Sequence, residues 1–206
     1  MLNRILVTTG LLTLTAASFA SGTALCIMPI ADILGHREVS YTYGFAGNEK
    51  NISGGAYSHG HSFVVGALDR VEFGFANDFQ GNTTYGAKLL IKDDAFCALS
   101  VGLWNYDNHK SDPYLVARKD FDKFRLHGGV IRDDRYRLMF GADYDLGSDW
   151  SLMADWMSGP NNAFNFGINI PVKQLPGLVI TPIVSFPSVK SDGIAHSVSF
   201  AYGIRF

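Results

Sequence analysis

The feature that most constrains this chain is a two-residue alternation repeated along nearly its whole length. At the carboxyl end, Val198, Phe200, Tyr202, Ile204 and Phe206 alternate with Ser197, Ser199, Ala201, Gly203 and Arg205. Successive side chains of a β-strand point to opposite faces, so this segment reads as a strand with one greasy face and one small or polar face. The same rule holds at Val39–Phe45, Val71–Phe75, Tyr85–Ile91, Tyr136–Tyr144, Trp150–Trp156 and Phe164–Ile170. Weaker candidates run from His61 to Leu68, Phe96 to Trp104, Tyr114 to Arg118, Phe124 to Ile131 and Leu178 to Phe186. The count is about twelve strands, with ten as the alternative.

Two all-β folds carry such a pattern. A soluble sandwich turns its apolar face inward and shows water a face of Lys, Glu and Thr. Here the second face is rich in Gly, Ser, Ala and Asn, which suits the crowded inside of a modest barrel. Charged residues make up 17% of the 206 residues, below the roughly 25% usual in soluble domains, and aromatics reach 13%. Tyr136, Tyr144, Trp150 and Trp156 stand at strand ends, where an interfacial girdle places them. The predicted links alternate in length. Asp69-Arg70, Lys92–Asp94, Lys119–Lys123, Leu146–Asp149 and Lys173–Gly177 are short, whereas Gly47–Gly60, Tyr106–Pro113 and Pro187–Ala195 are long. The expectation is therefore an up-and-down antiparallel transmembrane β-barrel over 37–206. Parity slips at Lys92–Asp94 and at Asp133-Asp134.

The amino terminus has the layout of a secretory signal: a basic Met1–Arg4, an apolar Ile5–Leu14 and a small-x-small site at Ser18-Phe19-Ala20. Its apolar run is shorter than the ~20 residues of a spanning helix. Cleavage after Ala20 is expected, with Ala24 as the next choice. Leu25 before Cys26 is unlike a lipoprotein signal, which needs a small residue there. Residues 21–36 then form a periplasmic lead-in, a plug or latch ahead of the first strand.

With these features in place, the closing segment Phe200-Ala201-Tyr202-Gly203-Ile204-Arg205-Phe206 resembles the terminal strand of bacterial outer-membrane β-barrel proteins. That resemblance implies outer-membrane lipid and the barrel assembly machinery as partners, with Phe200, Tyr202, Ile204 and Phe206 as the assembly signal. A second, shorter likeness lies at Met28-Pro29-Ile30-Ala31, similar to barrel proteins in which a Pro-x-Ala segment precedes the first strand, some associated with exopolysaccharide export.

Chemistry-bearing motifs are sparse. His59-Gly60-His61 places two imidazoles on one strand face, but no third ligand is identifiable, and an exposed polar loop is the simpler reading. Ser62 beside His61 and Ser197 beside His196 point to opposite faces if stranded, and neither matches a nucleophile motif. No cofactor or metal motif is found. Cys26 and Cys97 either pair or remain separate thiols. Charge is nearly balanced, 17 basic against 19 acidic, with no basic run for nucleic acid. Parity places Lys88, Arg125, Arg137 and Arg205 in the lumen with Glu72, Asp143 and Asp155, joined by His127 and Asn165. Buried charges are costly unless paired or hydrated, so this set implies either a salt-bridged filling or a narrow water-filled pore for small solutes. Three functions follow: a structural or narrow-channel barrel without catalysis, an accessory barrel of envelope polysaccharide export, or a lipid-modifying barrel enzyme.

Overall fold

The computed structural model describes residues 23–48, 57–107, 110–160, 162–189 and 193–206. Twelve strands form one sheet: β1 (Glu38–Asn48), β2 (Ser58–Ala67), β3 (Val71–Asn77), β4 (Thr83–Asp93), β5 (Ala98–Tyr106), β6 (Asp112–Phe121), β7 (Phe124–Arg132), β8 (Tyr136–Gly147), β9 (Trp150–Met157), β10 (Ala163–Pro171), β11 (Leu178–Pro187) and β12 (Ala195–Arg205). Each pairs antiparallel with its sequence neighbours, and β1 pairs with β12 from Glu38 opposite Arg205 to Asn48 opposite Ala195. The barrel is closed, so no strand keeps an unpaired edge.

The links sort by end. With the start of β1 and the end of β12 lie the tight connections 68–70, 94–97, 122–123, 148–149 and 172–177; the links that follow β1, β3, β5, β7, β9 and β11 belong to the opposite end. We call these the turn end and the loop end. Two turn-end hairpins place consecutive non-glycine residues at positive φ, Leu68 (57°) with Asp69 (56°) and Ser148 (56°) with Asp149 (65°). That handedness matches the twist of the flanking strands and lets links of two or three residues close. Strands run further into these turns than the alternation suggests, β6 to Phe121 and β8 to Gly147. The expected slip near Lys92 appears as a register shift between Leu90 and Lys92 against β5.

Exposure confirms which face is which. Leu138 (53%), Phe140 (54%), Phe73 (51%) and Phe166 (51%) lie open on the outside. Their strand neighbours Met139, Glu72 and Asn165 are buried inside. A soluble protein rarely shows so continuous an apolar surface, and a sandwich would bury these same residues. No helix among the described residues is long and apolar enough to cross a membrane. Trp156, the penultimate residue of β9, stacks on Phe140 of the neighbouring strand at 6.2 Å.

His59-Gly60-His61 departs from expectation. The segment is not a loop but the start of β2, with both imidazoles on the outer face. His59 bonds the Tyr43 hydroxyl at 2.7 Å, and His61 meets the Phe79 ring edge-on at 4.5 Å. A loop rich in Gly hides a strand when pairing with β1 supplies what its composition lacks. Ser62 and Ser197 turn inward while His61 and His196 turn outward, so neither forms a Ser-His pair. Cys26 and Cys97 are separate free thiols.

Candidate functional site: a hairpin in the lumen

The segment that precedes β1 does not lie below the barrel. From Thr23 it runs inside, and its tip is a tight hairpin: the Leu25 amide donates to the Met28 carbonyl at 3.0 Å, and Ile30 to Thr23 at 3.3 Å, with Ala24 bridged to Pro29. Pro29 biases Met28 toward extended backbone and removes one amide that would need a partner. Leu25, Cys26, Ile27, Met28, Ile30 and Ala31 are all buried. An apolar run with no exposed face makes sense only where wall surrounds it on every side.

The wall is cut to receive it. A methyl group added at Gly141 would strike the Leu25 side chain, and one at Gly66 would strike the carbonyl oxygens of Gly35 and Leu34. At Gly167 the added carbon would lie 3.1 Å from the Cys26 sulfur. At Gly66 the obstacle is backbone, so only glycine allows approach this close, whereas at Gly141 and Gly167 side chains of the hairpin and its neighbours would have to shift.

Polar anchors complete the seat. On β9, Asp155 Oδ2 accepts the amides of Ile27 (2.7 Å) and Met28 (3.0 Å), while Asn165 of β10 donates to its other oxygen at 2.8 Å. On β3, Glu72 accepts the Leu34 amide at 2.9 Å and the Thr23 hydroxyl at 3.1 Å. Lys88 of β4 pairs with Glu72 at 2.8 Å and donates to the Asp32 carbonyl at 2.8 Å and the Thr23 carbonyl at 3.1 Å. Ser100 of β5 donates to the Ala31 carbonyl at 2.6 Å. Asp32 itself is held by Arg118 of β6 and by Arg125 of β7, the latter at 3.1 Å. Arg125 continues to Asp143 of β8 at 2.8 Å, and Asp143 takes His127 Nε2 at 2.7 Å. Buried peptide and charged groups thus find partners across the hairpin boundary, as they must out of water.

Of the charges assigned to the lumen by parity, Glu72, Lys88, Arg125, Asp143 and Asp155 meet around this hairpin. Arg137 lies at the loop end, bound to Asp133 at 2.5 Å and to the Pro160 carbonyl at 3.2 Å. Arg205 is exposed at the turn end, in register with Glu38. Phe200, Tyr202, Ile204 and Phe206 face outward along the closing strand, where the Phe206 amide reaches the Arg37 carbonyl at 3.1 Å. Sequence reasoning did not single out Asp32, Ser100 or Arg118. Arg118 has the inward parity of Tyr114 and Val116 and was legible in principle; Asp32 becomes meaningful only once its segment is seen inside.

Neither a protein-family description nor a curated protein matches the sequence. Among solved structures, KdgM porin is similar with a TM-score of 0.57 at 14% identity, over 79% of this chain and 98% of that one. Larger porins align less well: a mutant of Rh. blastica porin (TM-score 0.44, 11% identity, 71% of this chain and 55% of that one) and Pseudomonas aeruginosa OpdL (0.33, 12%, 79% and 54%). What this chain shares with KdgM porin is the fold, a closed antiparallel barrel of the outer-membrane type.

Proposed function

We propose that this chain is an outer-membrane barrel of porin type, a narrow path for small solutes whose lumen is closed by its own residues 23–34. One observation carries the reading. A small structural barrel is filled by side chains of its own wall, whereas here the wall opposite the hairpin is Gly66, Gly141 and Gly167, and a separate segment supplies the filling. Such a filling is able to leave as a unit while every strand pairing stays intact. The apolar outer face supports residence in lipid, and the shared fold with a porin supports a channel role at the level of fold.

Asp32→Arg tests it. This substitution in the full-length chain sets a third cation against Arg118 and Arg125 and drives the hairpin out. In planar bilayers the wild-type protein should be nearly silent and the variant should conduct. A variant that retains heat-modifiable gel mobility, the mark of a closed barrel, and stays as silent as wild type would overturn the channel reading.

A further inference from the structure

We infer that the path beneath the hairpin prefers cations and that Asp155 sets this preference; the inference rests on the channel reading above. The argument follows from what each wall group keeps when the hairpin leaves. Lys88 keeps Glu72 at 2.8 Å. Arg118 keeps Asp120 at 2.7 Å and Asp93 at 3.3 Å. Arg125 keeps Asp143 at 2.8 Å, and Asp143 keeps His127 besides. Ser100 is neutral and loses only a carbonyl.

Asp155 differs from all of these. Its carboxylate is 1% exposed, and among the described residues no Lys, Arg or His pairs with it. Two of its three donors named above are hairpin amides, so withdrawal leaves it with the Asn165 amide alone. The vacated wall then sets Lys88, Arg118 and Arg125 against Glu72, Asp93, Asp120, Asp143 and Asp155, an excess of acid. At the rims, Arg137 faces Asp133, Lys110 lies between Asp112 and Asp134, and Arg205 stands beside Glu38.

An unpaired carboxylate beside a narrow aqueous path draws cations and repels anions, and the low-dielectric wall around it focuses the field. Asp155 stands third from the loop-end terminus of β9, between Gly141 of β8 and Asn165 of β10 in register, so neither neighbour screens it with charge. The solutes that fit are small monovalent cations, inorganic or of the ammonium type. With the hairpin seated, the Ile27 and Met28 amides occupy the position such a cation would take.

The measurement is the reversal potential of the open pore in a KCl gradient. In full-length Asp32→Arg protein it should lie on the potassium side, and adding Asp155→Asn should shift it toward zero while conductance persists. A reversal potential on the chloride side, or one that Asp155→Asn leaves in place, would overturn the inference while sparing the channel reading. Silence from a correctly closed Asp32→Arg barrel would overturn both. If that variant does not insert, Ala31→Trp takes its place: Ala31 is fully buried in the seat, so an indole there unseats the hairpin without changing any charge.

Discussion

Asp155 on the wall and Ile27 at the hairpin tip are joined by a 2.7 Å hydrogen bond from a peptide amide to a carboxylate that no cation neutralises among the described residues. The bond ties β9 to the segment before β1 across 128 residues of sequence. Truncation by Asp155→Ala strands two buried amides, those of Ile27 and Met28. An unsatisfied buried polar group costs about 1–3 kcal/mol, which falls entirely on the seated state. The variant should therefore release its hairpin more often. Cys26, buried in the seat, reports this directly: in a Cys97→Ser background, a water-soluble maleimide should label Asp155→Ala faster than the parent, and equal rates would contradict the anchor.

The seat also offers a lock. A side-chain carbon at position 167 would lie 3.1 Å from the Cys26 sulfur, a span that suits a disulfide whose sulfurs stand about 2.0 Å apart. Gly167→Cys combined with Asp32→Arg should give a barrel that is silent when oxidised and conducts after reduction. Conductance that ignores the reductant, with the disulfide between Cys26 and the introduced thiol shown by mass spectrometry, would mean that ions do not pass where the hairpin lies.

Orientation along β8 separates a lipid-facing wall from a buried one. Leu138 and Phe140 are more than half exposed while Met139 between them is fully buried. Arginine at Leu138 or Phe140 should block insertion, since a midplane Arg on the lipid face costs about 2–4 kcal/mol. Phe140→Leu should be tolerated, because lipid does not require the close fit a protein interior does. Cysteine labels at both positions should be quenched by lipid-borne probes; quenching only by aqueous agents would defeat the membrane assignment.

Much of this architecture was legible because a barrel wall writes itself twice into the sequence, once on each face. Val198 to Phe206 shows both faces in nine residues, and parity alone put Glu72, Lys88 and Asp143 on the inside. The His59–His61 strand was hidden because its pairing partner Tyr43–Phe45, and not its own composition, makes it a strand. A plug was among the readings of residues 21–36, but the hairpin and its seat were hidden for a deeper reason. Periodicity reports a segment's own two faces, whereas residues 23–34 are defined by contacts to β2 through β10, and a run such as Leu25–Met28 has the same look whether it lies in a lumen or ahead of a barrel. Glycine at 66, 141 and 167 was the available sign, since nothing local at those positions calls for it.

The closing strand supports a last expectation, on assembly. β12 pairs with both β1 and β11, and Phe200, Tyr202 and Ile204 face outward at 36–48% exposure. Phe206 is 72% exposed beyond the end of the strand, its side chain free while its amide is tied to Arg37. Arg205 is exposed at the turn end, where water solvates it. If the assembly machinery reads the outward aromatic, Phe206→Asp should reduce the membrane-inserted fraction severalfold, whereas Arg205→Ala should leave it near wild type. Phe206→Tyr keeps the ring and should insert normally, which separates recognition of the aromatic from simple loss of apolar area. Comparing heat-modifiable protein in outer-membrane fractions across the three variants decides the matter: equal yields for Phe206→Asp and Arg205→Ala would remove Phe206 from any role in assembly.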